Sequence, residues 1–121
     1  MKQPLILVVD DDPVMREVTR IHLEQAGYGV ELASGGEEGV IKSAALQPSA
    51  VIMDFAMPGV SGRDALERIR ANPETALLPV VMLSAWSADH NRRAVRALGA
   101  NWLEKPLNGD ALIDIVKQLL A

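Results

Sequence analysis

The chain has 121 residues, 49% of them hydrophobic, with a formal net charge of −4, which suits one core in one domain and argues against a surface that grips nucleic acid. It has no cysteine, so a disulfide framework, a thiolate nucleophile and a cysteine metal site are excluded. No apolar run approaches bilayer length and the N-terminus shows no signal-peptide pattern, which makes a cytosolic location the expectation and membrane association not.

Leu5-Ile6-Leu7-Val8-Val9 is a short unbroken apolar run, the pattern of a strand buried on both faces. It leads into Asp10-Asp11-Asp12-Pro13. Pro13 suits a first helical turn with Asp12 as N-cap. Val14, Met15, Val18, Ile21 and Ala26 share one arc of that helix, and Gly27 ends it. From Gly29 to Ala33, Val30 and Leu32 alternate with Glu31, as in an edge strand. Ser34 is the expected cap of a second helix carrying Val40, Ile41 and Ala44, which stops before Pro48.

Ala50-Val51-Ile52-Met53 is the next buried strand, and it runs into Asp54 before the breaker Met57-Pro58-Gly59. Ser61 caps a third helix with Ala65, Leu66 and Ile69, ending by Asn72-Pro73. Pro79-Val80-Val81-Met82-Leu83 is a further buried strand delivering Ser84. Ser87 is the expected cap of a fourth helix ending at Leu98-Gly99, with Arg92, Arg93 and Arg96 turned away from Ala88, Val95 and Leu98. Trp102-Leu103 makes a short fifth strand before Glu104-Lys105-Pro106. The last helix, from about Asp110, carries Leu112, Ile113, Val116, Leu119 and Leu120 at helical spacing.

Five strands alternating with five helices predict an α/β fold, a parallel sheet with helices on both faces. The flavodoxin-like order 2-1-3-4-5 puts the first, third and fourth strands in the middle. Asp10, Asp11, Asp54, Ser84 and Lys105 then leave carboxyl strand ends on one rim, where ligands bind in open α/β sheets. Carboxylates packed together repel unless a cation joins them. All-oxygen ligands in a shallow site suit Mg²⁺. With Lys105 and the Ser84 hydroxyl beside them, these groups make a phosphoryl-transfer site in which Asp54 attacks in line. Asp12 is either the helix cap alone or a third site carboxylate. His22, at the edge of an apolar arc, and His90, in a polar helix start, read as structural or exposed. The Arg92, Arg93, Arg96 face reads first as solvated surface and second as a partner face.

Val8-Val9-Asp10-Asp11-Asp12-Pro13, Met53-Asp54 with Met57-Pro58-Gly59, Leu83-Ser84-Ala85 and Lys105-Pro106, in this order, resemble the CheY-like receiver domain of two-component response regulators. The resemblance covers residues 1–121 as one phosphoacceptor domain. It implies that Asp54 takes a phosphoryl group from a sensor histidine kinase or phosphotransfer protein. It also implies that Asp11, Asp54 and the Ala56 backbone carbonyl bind Mg²⁺, with Asp10 acting through water. Lys105 would contact the phosphoryl oxygens, Ser84 would swing in to bond them, and Trp102 would be the switch aromatic. The Lys105–Pro106 peptide would be cis. Such a domain is no turnover enzyme and catalyses only its own phosphorylation and dephosphorylation. It would act on a downstream effector domain or protein, and a phosphorylation-dependent homodimer is among the assemblies the resemblance admits. The chain departs from the family pattern in having Trp102 where Tyr or Phe is usual, Ala56 where a polar residue is frequent, and the bulky Trp86 two past Ser84. Ala56 and Trp86 together lead us to expect slow self-dephosphorylation.

Two other functions fit parts of the sequence. Asp10 to Val14 also matches the D-x-D-x-V pattern of haloacid-dehalogenase-like phosphatases, with Asp10 as nucleophile and Asp12 as general acid. That family gives no reason for the Asp54 stretch. A receiver-like scaffold that works without phosphorylation would lack an acidic or lysine position, and none is lost here.

Overall fold

Alternate residues of a strand face opposite sides of its sheet, and here both sides are apolar. The strands are β1 (Leu5–Val9), β2 (Gly29–Ala33), β3 (Ala50–Asp54), β4 (Val80–Ser84) and β5 (Asn101–Glu104). The helices between and after them are α1 (Pro13–Gln25), α2 (Gly36–Leu46), α3 (Gly62–Ala71), α4 (Asp89–Ala97) and α5 (Gly109–Leu120). This computed structural model describes residues 3–85, 89–105 and 107–121. The expected Ser87 cap, the bulk of Trp86, the place of Ala88, the side chain of His90 and the Lys105–Pro106 peptide lie outside the described residues.

The sheet is parallel throughout, in the order β2-β1-β3-β4-β5. Leu7, Val9, Met53 and Met82 point to one face, where they meet Ala65, Leu66 and Ile69 of α3 and Val95 of α4. Ile6, Val8, Ile52, Val81 and Leu83 point to the other, against Leu23 of α1 and Leu112 and Val116 of α5. All of these side chains are buried. Each contributes about 1.5–3 kcal/mol by leaving water. The strands at the centre of the sheet are the ones without polar interruptions, and they therefore end together in a buried row.

Local signals place the helix starts. Asp12 Oδ1 accepts the backbone N–H groups of Val14 and Met15 at 2.9 and 3.4 Å, with Pro13 opening α1. Ser61 Oγ accepts from Asp64 N–H at 3.1 Å, and Asn108 Oδ1 from Ala111 N–H at 3.1 Å. Each satisfies an amide that the helix itself leaves unpaired.

The structure corrects three sequence expectations. Ser34 does not cap α2; Gly35 is the cap residue, without a side-chain bond, and the Ser34 hydroxyl donates to Glu38 Oε2 at 2.8 Å. In α1 the buried positions are Thr19 and Leu23, while Val14 and Ile21 are 69% and 43% exposed. In α2 the buried positions are Gly36, Gly39 and Ser43, and Ile41 is exposed. The cause is close approach. A Cβ on Gly39 would lie 2.8 Å from a Val9 methyl, and one on Gly36 would lie 2.3 Å from the Val60 carbonyl oxygen. Small residues let α2 lie against the sheet and the chain after β3, so its larger apolar residues are left at the margin.

Candidate functional site

β1 carries its extended course one residue further, because Asp10 N–H donates to the Ala33 carbonyl at 3.1 Å. Asp10 is consequently buried. Its Oδ1 accepts from Asp12 N–H at 2.9 Å, which closes a tight turn. Arg16, one turn into α1, donates from Nη1 to the Asp10 carbonyl oxygen at 2.9 Å. Asp11 stands exposed between the two braced aspartates. Asp12 lies on the rim as well, with its carboxylate committed to the α1 cap. That geometry shows Asp12 as the cap of α1.

Asp54 is the last residue of β3 and is 7% exposed. β3 lies between β1 and β4 in the register Val9↔Met53 and Asp54↔Leu83, so its end meets the β1 turn on one side and Ser84 on the other. Ser84 closes β4 and is buried. Its carbonyl accepts Lys105 N–H at 2.8 Å, which extends the β4–β5 pairing by a residue. From there the Lys105 ammonium reaches past β4 to Asp54 Oδ1 at 3.1 Å. The sequence-predicted residues Asp10, Asp11, Asp54, Ser84 and Lys105 are thus brought to one rim.

Carboxylate oxygens of Asp10, Asp11 and Asp54 lie within 4.8 Å of one another, the geometry of a group that could hold a metal ion. Among the described residues, one ammonium, that of Lys105, is ion-paired with these three carboxylates. Burial pushes the Asp54 carboxyl above its ordinary value; the Lys105 hydrogen bond and charge oppose this, the Asp11 charge adds to it, and the Ala56 N–H bond opposes it. Burial likewise raises Asp10, against the N–H bond from Asp12, with the Asp54 charge adding to the rise. A hard divalent cation is the group whose charge and oxygen preference match this donor set.

Ala56 is exposed at the mouth of the site. With Phe55, Ser84, Ala85 and Asn91 it lines a cavity of ≈ 350 Å³ beside Asp54. Trp102 lies on β5 at the far side of Phe55, ring centroids 5.3 Å apart and planes at 58°. It is half-buried, and its indole N–H is buried without an acceptor among the described residues. Sequence reasoning missed the Arg16 brace and the Phe55–Trp102 contact. The first joins a side chain to a main-chain oxygen six residues away, and no pattern of side-chain types marks such a bond.

Residues 6–117 match the family described as response regulator receiver domain. The chain belongs to that family. As a receiver it is 35% identical, over 97% of its length, to the DNA-binding dual master transcriptional regulator RpaA of a Synechocystis species. It spans about half of that regulator, 49% of its length. A putative response regulator from Chloroflexus aurantiacus superposes with a TM-score of 0.92 at 35% identity, covering 98% of each chain. The receiver domain of a sensor histidine kinase from Pseudomonas aeruginosa, with a magnesium ion coordinated in its active site cleft, superposes with a TM-score of 0.89 at 28% identity over 98% of each chain. The fold is that of the CheY-like receivers, and the receiver is a signalling domain of two-component systems, not a classical enzyme. Among the described residues no helix is long and apolar enough to cross a membrane.

Proposed function

We propose that Asp54 is the phosphoacceptor of a receiver spanning residues 1–121. One observation carries this reading: Asp54 ends the central strand with Lys105 on one oxygen and two further carboxylates within reach. An Asp54 oxygen attacks the phosphorus of a phosphohistidine on a sensor kinase or phosphotransfer protein. The new P–O bond forms as the P–N bond breaks, and the leaving imidazole keeps the electron pair and takes up a proton. Asp11 and Asp54 would hold Mg²⁺ directly, with the Ala56 carbonyl as a further ligand and Asp10 acting through water. When bound, the ion neutralises charge on the phosphoryl oxygens. Lys105 exchanges its Asp54 contact for a phosphoryl oxygen, and the Ser84 hydroxyl turns to donate to another.

Reversal by water returns the carboxylate and inorganic phosphate. The chain thus catalyses its own phosphorylation and dephosphorylation. The small Ala56 side chain offers no group to orient a hydrolytic water, which supports a long-lived phosphoryl group. The phosphorylated state biases Trp102 and the β4–β5 side towards a different partner surface, for an effector domain, an effector protein or a second copy, in the cytosol. The test is incubation with a small phosphodonor and Mg²⁺, followed by intact mass. One phosphoryl group is expected on the parent and none on Asp54→Asn. Undiminished labelling of Asp54→Asn would sink the assignment.

A further inference from the structure

A guanidinium close in sequence to a carboxylate cluster is suited to a bidentate pair with a carboxylate. Arg16 does not form one. Its Nη1 donates to the main-chain oxygen of Asp10 at 2.9 Å, and no ion pair joins it to a carboxylate among the described residues. The cluster therefore keeps the charge that a divalent cation would balance, while the turn carrying it is braced from below. The rest of the turn is fixed at Asp10 and Asp12, through Asp10 N–H on Ala33, Asp12 N–H on Asp10 Oδ1, and the Asp12 cap. Asp11 between them is exposed and shows no hydrogen bond of its own among the described residues, so what fixes the position of its Cβ is the backbone of this turn. The Asp10 carbonyl belongs to the peptide unit that leads into Asp11, and Arg16 holds that unit.

We propose that Arg16 is the positioning residue of the divalent-cation site. It sets the Asp10–Asp11 peptide so that the Asp11 carboxylate meets those of Asp10 and Asp54, without spending its charge on them. The proposal rests on reading the acidic cluster as the Mg²⁺ site.

Two possible roles of Arg16 predict opposite signs. If only its charge mattered, removing it would tighten Mg²⁺ binding, because a cation near a cation site repels. If it positions Asp11, removing it weakens binding, by about 10-fold or more, as outer-shell changes at metal sites do. The experiment is calorimetric titration of the full chain with Mg²⁺ for Arg16→Met, Arg16→Gln and Asp11→Ala. Arg16→Met is expected to bind more weakly than the parent. Arg16→Gln keeps an amide donor without the charge and is expected to recover most of the loss, which a merely structural arginine would not show. Should Arg16→Met prove too unstable to titrate, Arg16→Ala against Arg16→Gln gives the same comparison, since both lack the charge and only Gln keeps a donor for the Asp10 carbonyl. Binding by Arg16→Met as tight as the parent's, or equal weakening in Met and Gln, would overturn the proposal. Unchanged binding in Asp11→Ala would overturn the metal reading itself, and the proposal with it.

Discussion

Asp54 and Asp10 are held against their chemistry: burial raises both carboxyls, and the partners that oppose it are one ammonium and two backbone amides. A carboxyl whose value in the folded chain lies above its value in the unfolded chain binds protons more tightly when folded. Its contribution to stability is full below the unfolded value, roughly pH 4, and is lost as pH rises through the higher folded values. The stability these two groups add to the metal-free protein should therefore fall as pH rises from about 4 through their raised folded values. Asp10→Asn and Asp54→Asn should each flatten that slope. Glu17 and Glu38 are shifted down and act in the opposite sense, but Glu17 is exposed and Glu38 partly so, and their window lies below that of the ordinary carboxylate. Mg²⁺ competes with the same protons, so its stabilising effect should be larger at pH 7 than at pH 5. Thermal scans in chelator and in Mg²⁺ check this, and parent and variants sharing one pH slope would refute it. The site residues were legible because each is polar at the end of an apolar run. Asp12 was ambiguous in sequence because a cap and a metal ligand call for the same carboxylate, and only its bonds to Val14 and Met15 separate the two.

At the scale of elements, α3 starts directly behind the phosphoacceptor position. Gly62 N–H donates to the Phe55 carbonyl at 2.9 Å. A Cβ on Gly62 would lie 2.4 Å from the Asp54 carbonyl oxygen, 2.8 Å from Phe55 Cα and 2.9 Å from Met82 Sδ. Two of those atoms are backbone and cannot swing aside. Gly62→Ala should cost about 1–3 kcal/mol or more in urea unfolding. Gly35→Ala makes the contrast: its backbone is extended and nothing lies within 4 Å of its Cβ position, so only the poorer capping of Ala, about 0.5–1 kcal/mol, is expected. Equal losses in the two variants would show that close packing is not what Gly62 provides. The same principle explains where the sequence reading of helices failed. Periodicity of large apolar residues located α3 and α5, whose buried positions are Leu66, Ile69, Leu112 and Val116 among others. It misjudged α2, whose inward face is glycine and serine, and α1, whose inward face includes Thr19 bonded back to the Met15 carbonyl at 2.8 Å. Small and polar residues carry no hydrophobic signal, yet they permit the closest approach.

For the whole molecule, the two ends of the sheet are built differently. The carboxyl end gathers unsatisfied charge, and the amino end of β4 and β5 is closed by a single cation, Arg70 of α3. Its Nε donates to the Leu98 carbonyl at 2.5 Å, Nη1 to those of Ala76 and Leu78 at 3.0 and 2.7 Å, and Nη2 to Gly99 at 3.5 Å. Burial lowers the arginine's own value, and no carboxylate pairs with it among the described residues. It therefore ties the chain before β4 to the turn before β5 through main-chain oxygens alone. No residue pattern announces such a clamp, which is why the sequence revealed one end of the sheet and not the other. β4 separates the two ends by four residue steps, about 13 Å at ~3.3 Å per residue, beyond the range at which substitutions usually couple. Arg70→Met leaves four carbonyl oxygens without their charged donor. It should lower the unfolding free energy by about 2–3 kcal/mol. Its Mg²⁺ affinity should match the parent's, and the double variant with Asp11→Ala should show additive stability changes within about 0.5 kcal/mol. Urea unfolding and Mg²⁺ titration of the single and double variants test both statements. A loss of Mg²⁺ binding in Arg70→Met comparable to that of Asp11→Ala would mean that the amino-end clamp and the acidic rim are one coupled unit rather than two independent ones.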